Sequence, residues 1–75
     1  MKKTFISEDA AISSAKIQAE NNPVLVIYTH GHGHEIVSND FKTDRLYYHG
    51  EGGQKMFFTP IAYVHPAGII KYLDR

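Results

Sequence analysis

The chain of 75 residues contains no cysteine and no tryptophan, and its formal net charge is zero. Without cysteine there is neither a disulfide staple nor a thiolate metal site. Such usage fits a reducing compartment, and a cytoplasmic location is the expectation. Eight basic residues balance eight acidic ones, so no global field steers the chain toward nucleic acid or an anionic membrane. The basic residues are also dispersed: Lys42 and Arg45 flank Asp44, and Lys2 and Lys3 are soon followed by Glu8 and Asp9. Nucleic acid is therefore not an expected partner. No run approaches the roughly 18 apolar residues of a membrane span. Met1-Lys2-Lys3 has the basic character of a signal peptide, but Ser7, Glu8 and Asp9 arrive before any apolar core can form.

What is present argues for a folded unit. Apolar residues make up 43% of the chain and include five Tyr and four Phe, a composition opposed to disorder. The length suits a single small α+β domain over residues 1–75 and leaves little room for a second. A core this thin leaves a small surplus over chain entropy, which makes a homodimer interface or a bound ion physically attractive.

Lys3 to Ile6 reads as an extended lead-in. Ser7 is a helix cap, with Glu8 and Asp9 in the first turn where carboxylates favour the helix dipole. Ala11, Ile12, Ala15 and Ala19 recur at helical spacing, with Ile17 expected to widen that face. Asn21-Asn22-Pro23 ends the helix. Val24-Leu25-Val26-Ile27-Tyr28 is apolar on both alternating faces, the pattern of a central strand covered on each side. Glu35-Ile36-Val37 either continues it after a bend or starts its hairpin partner, and Ser38-Asn39-Asp40 is a turn. Further strands are expected at Arg45–His49, Gln54–Thr59 and Ile61–Val64, with Gly50–Gly53 as a connection and Pro60 as an edge, bulge or strand end. Gly68–Leu73 has strand composition, although Ile69, Ile70 and Leu73 also fit a helical face. The predicted fold is one N-terminal helix packed on a small, mainly antiparallel sheet of about four strands.

The densest chemistry lies in Tyr28-Thr29-His30-Gly31-His32-Gly33-His34-Glu35. Imidazole is the side chain best suited to hold a transition metal or to change charge near neutral pH. On a straight strand, alternation places His30, His32 and His34 on one face but spreads them over about 13 Å. A three-histidine site for zinc or another divalent transition metal then needs curvature, which Gly31 and Gly33 permit. His49, His65, Glu35 or Asp40 would complete it, or Glu35 would orient a ligand histidine through its second nitrogen.

The order Thr29-His30-Gly31-His32-Gly33-His34 resembles the Thr-His-x-His-x-Asp-His metal motif of the metallo-β-lactamase hydrolase superfamily. His30 and His32 match its first two ligands, whereas His34 stands at the aspartate position and Glu35 at the final histidine. The resemblance would imply a metal pair that activates water. It covers one short run, in a chain much shorter than that family's αββα sandwich, and no hydrolase activity is expected from it.

Gly50-Glu51-Gly52-Gly53 lacks the lysine and hydroxyl residue of a phosphate-gripping loop. Tyr47-Tyr48 and Phe57-Phe58 are adjacent aromatic pairs, so on strands one member of each pair faces the core and the other faces out. These four are the candidate contact residues of a small non-enzymatic interaction or regulatory module, acting on a protein partner or by self-association. The alternative expectation is a metal-binding module built on His30, His32 and His34.

Overall fold

The computed structural model describes residues 4–45 and 47–73. Lys3 of the expected lead-in and Leu46 of the expected Arg45–His49 strand lie outside the described residues. Helix α1 spans Glu8–Gln18 and is followed by strands β1 (Val24–Thr29), β2 (Gly33–Ser38), β3 (Tyr47–His49), β4 (Lys55–Val64) and β5 (Ile70–Tyr72). Every strand pair is antiparallel, in the order β2-β1-β4-β3, and β5 also pairs with β4. The chain is thus α+β, with one N-terminal helix on an antiparallel sheet.

The helix begins where its cap is. Ser7 adopts extended geometry, and its hydroxyl accepts from the Ala10 amide at 3.1 Å. Ala11, Ile12, Ala15 and Ala19 are buried against Val26, Ala62 and Val64 of the sheet. Small side chains let the helix axis lie close to the strands. Ile17 does not widen this face, being 77% exposed. At about 100° per residue it stands nearly opposite the centre of the alanine face, so it points to solvent.

Strand β1 runs through the centre, between β2 and β4, as its two-sided apolar pattern requires. Val24 and Val26 face the helix, while Leu25 and Ile27 pack with Phe58 on the opposite side. Among the described residues, no helix covers that second side. Phe41, on the connection from β2 to β3, packs edge-on against Tyr48 and Phe58, with ring centroids 5.4 and 5.0 Å apart. The connection therefore passes over this side as it carries the chain from one edge of the sheet to the other.

Two expected strands, Gln54–Thr59 and Ile61–Val64, are one continuous strand, β4. Pro60 does not interrupt it, and the pairing register explains why. The His30 amide donates to the Phe57 carbonyl at 2.8 Å, so Phe57 directs its backbone groups toward β1. Alternation turns those of Pro60, which lies opposite Ile27, away from β1. There β4 has passed the end of β3 and not yet reached β5, so the missing N–H costs no ladder bond. The register shift falls just beyond it, opposite Val26 and Ile27. The tail forms β5, the strand alternative of the two sequence patterns.

Candidate interaction surface

The histidine run is a tight hairpin and not an extended strand. His30, Gly31 and His32 connect β1 to β2, with the His32 amide bonded to the Thr29 carbonyl at 3.0 Å. Gly31 takes φ +83°, a left-handed conformation suited to glycine. Gly33 is needed for a different reason. A Cβ there would lie 2.8 Å from the carbonyl oxygen of Phe5, which bridges onto the edge of β2 through two backbone bonds with His34. Gly31 thus serves the turn, and Gly33 the approach of the N-terminal segment.

Folding the run back on itself sets His30 and His34 against one ring, Tyr28, and leaves His32 at the tip. Tyr28 and His34 are direct cross-strand partners, and the Tyr28 ring contacts both His34 and His30 at centroid distances of 5.1 and 5.2 Å. His30 Nε2 lies 2.9 Å from the Thr59 hydroxyl. His32 is exposed at the hairpin tip, and His34 Nδ1 is buried with no hydrogen-bond partner among the described residues. His49 lies on β3, and His65 follows the end of β4 that pairs with Val24, away from the hairpin. Among the described residues, no group of three His, Asp or Glu side chains is placed to hold a metal ion.

Glu35 corrects the expectation that it would ligate the metal or orient a ligand histidine. It pairs with Ile27, so it faces the side of the sheet opposite Tyr28 and His34. Only 3% of it is exposed. Its carboxylate accepts from the hydroxyls of Thr29 and of Tyr48, the latter at 2.5 Å, joining β2, β1 and β3 beneath the Phe41–Tyr48–Phe58 rings. Burial is the main factor that pushes the Tyr48 hydroxyl above the ordinary tyrosine pKa. The bond to Glu35 and its charge add to that shift, while the contact with Thr29 opposes it. Sequence reasoning missed this cluster. The available signal was a glutamate two residues before Val37, on the same face of a strand beside a two-sided apolar partner.

The helix covers the Val24–Val26 half of its side of the sheet and leaves the other half open. On that open half stand Tyr28, His30, Thr59, Phe57 and Tyr47, brought side by side by the registers of β1, β4 and β3. Phe57 is 52% exposed and Tyr47 36% exposed, with ring centroids 5.9 Å apart. Tyr47 also meets His49 edge-on at 5.8 Å, and the Lys55 ammonium sits 4.8 Å from the Tyr47 ring centre. Tyr48 and Phe58, the inner members of the two aromatic pairs, face the opposite side and pack over Glu35. Of the four aromatic candidates, the fold therefore presents Tyr47 and Phe57 together and uses Tyr48 and Phe58 inside.

Comparison with protein-family models, curated proteins and solved structures gives no match for the chain. The short resemblance around His30 and His32 is thus unaccompanied by any family match. Among the described residues, no helix is long and apolar enough to cross a membrane.

Proposed function

We propose that this protein is a small non-enzymatic interaction module that docks a protein partner on the open half of its helix-side sheet face. The single observation that carries this reading is the adjacent placement of Phe57 and Tyr47, with Phe57 52% exposed, beside Tyr28 and His30. Rigid rings on a strand scaffold supply contact area at little entropic cost, and Tyr and Phe are enriched at interface centres. His30, His49 and Lys55 border the rings with polar and basic groups, the arrangement of an apolar centre with a polar rim. The reading includes residence in a reducing, cytoplasmic environment, on the strength of the cysteine-free composition.

A photo-crosslinking residue at position 57, compared with one at the exposed helix position 13, tests it in cells of the source organism. A protein captured at 57 and not at 13 should then bind the purified chain in calorimetry. Phe57→Ser should weaken that binding by at least about tenfold, as expected for an anchor residue. Equal capture at both positions, or binding indifferent to Phe57→Ser, would overturn the assignment. Zinc titration addresses the alternative, a metal-binding module: stoichiometric uptake abolished by His30→Ala and His32→Ala would favour it.

A further inference from the structure

Acidic and basic side chains are divided unevenly between the two sides of the sheet. Of the residues in the five described strands, Glu35 alone is acidic, and it is buried on the side away from the helix. His34, His49 and Lys55 stand on the helix side, as their pairings with Tyr28 and with each other require. Glu8 and Asp9 lie in the first turn of α1, which starts just after the Phe5 bridge on the β2 edge. The opposite end of the face, at β3 and β4, gathers basic groups around Tyr47. The Lys55 ammonium sits 4.8 Å from the Tyr47 ring centre, and the His49 ring meets it edge-on at 5.8 Å. Arg45 joins Tyr47, Tyr48 and His49 in lining an open groove of about 420 Å³. Among the described residues no carboxylate lines that groove, although Asp44 precedes Arg45 in the chain. His49 Nδ1 lies 3.1 Å from the Gly53 carbonyl, which can only accept, so Nδ1 carries a proton and the ring is held in place. Tyr47 and His49 belong both to the ring face and to the groove, which makes the two continuous.

We infer that Arg45, His49 and Lys55 form an anion-binding subsite around Tyr47, and that the protein segment docked on the ring face is acidic. An aromatic or apolar residue of that segment covers Phe57 and Tyr47, while flanking aspartate or glutamate carboxylates reach Lys55 and Arg45. The inference rests on the face-docking reading and names the chemistry of its partner. Rings by themselves accept any apolar side chain, so the selectivity of the face comes from its rim. A guanidinium and an ammonium at that rim favour carboxylates, and they turn away basic segments by like-charge repulsion. A docked segment also excludes water from one side of each cation, which strengthens its attraction to a carboxylate. The groove lies at the low end of the volumes of ligand sites, which suits individual side chains of a segment.

Residue-resolved NMR of the isotope-labelled full chain, titrated with an acetylated peptide of one phenylalanine between paired glutamates, tests this. The amides of Tyr47, His49, Lys55 and Phe57 should shift, and those of α1 should not. Arg45→Glu and Lys55→Glu should each weaken binding at least about tenfold, and the double variant should instead bind the peptide with lysines in place of glutamates. Raising salt from about 20 to 300 mM should weaken wild-type binding, because exposed charges are screened. No shift at about 5 mM peptide overturns the inference, as does equal binding of the lysine peptide by the wild type. So does an oligothymidine that shifts the same amides at lower concentration, which would make the occupant a nucleic acid. Charge variants that bind like wild type, with Phe57→Ser weakened, would remove the subsite and leave the face reading standing. The converse pattern would uphold the subsite and remove the face reading.

Discussion

The two sides of the sheet solve the same burial problem by opposite means. On the helix side the core is small and wholly apolar, built from Ala11, Ile12, Ala15 and Ala19 against Val26, Ala62 and Val64. On the other side no helix among the described residues covers Leu25 and Ile27, and Phe41, Tyr48, Phe58 and neighbouring side chains pack around them. Beneath that roof lie Thr29 and Glu35, the two buried polar residues among those described. The apolar side tolerates small sliding of the helix because dispersion and hydrophobic burial are non-directional. The polar side does not, since a buried carboxylate must keep its donors. Strand β3 has only three residues and reaches the rest of the sheet through β4. The Tyr48–Glu35 bond gives it a second, directional tie to β2.

Breaking that tie should produce the largest difference between the sides. Glu35→Ala leaves a cavity and two hydroxyls without their acceptor, and should cost about 3 kcal/mol in denaturant unfolding. Replacing all three members together, as Thr29→Val, Glu35→Leu and Tyr48→Phe, should recover most of the loss, because no polar group is then left unpaired. Failure to recover it would mean that the directional bonds themselves hold β3 in place.

Tyr48→Phe should have a smaller effect, about 1–2 kcal/mol, since it removes one donor and keeps the ring. It carries a distinctive pH signature. The folded chain favours the protonated phenol, because burial and Glu35 raise its pKa. This contribution is fully present below the unfolded tyrosine value and is lost as pH rises through the folded one. Wild-type stability should therefore fall more steeply above about pH 10 than that of Tyr48→Phe. Parallel curves in alkaline urea titrations would contradict this.

The smallest stability effect is expected on the helix side, at the open half of its face. Phe57→Ser should change the unfolding free energy by less than about 0.5–1 kcal/mol, because the ring is half exposed and serves contact with other molecules more than the core. A loss comparable to that of Glu35→Ala would show that Phe57 is structural after all.

Much of the local structure was legible along the chain. Ser7, the alanine spacing and Pro23 bounded the helix, and the two-sided apolar run located the central strand, because these signals act within a few residues. The aromatic pairs were legible for the same reason: strand alternation alone sends Tyr47 and Tyr48 in opposite directions, and likewise Phe57 and Phe58. The histidine run was less so. Its period of two fits an extended strand equally well, and only pairing with Phe5 and β4 reveals a turn in which Gly31 and Gly33 have separate duties. Pro60 reads as an edge, a bulge or a strand end, and only the pairing shows that it sits beside a register shift within one continuous strand, because sequence does not say toward which neighbour its missing donor points.

The amino-acid order by itself thus determined the helix, the central strand and the opposite facing of the adjacent aromatics, since helical and strand periods are properties of the local backbone. Tertiary structure alone decided the strand order and the crossing of the β2–β3 connection. It likewise decided the burial of Glu35 and the half-open ring surface. Each of these depends on which distant segments meet, and a glutamate thirteen residues from a tyrosine becomes its hydrogen-bond partner only when the strands between them are laid side by side.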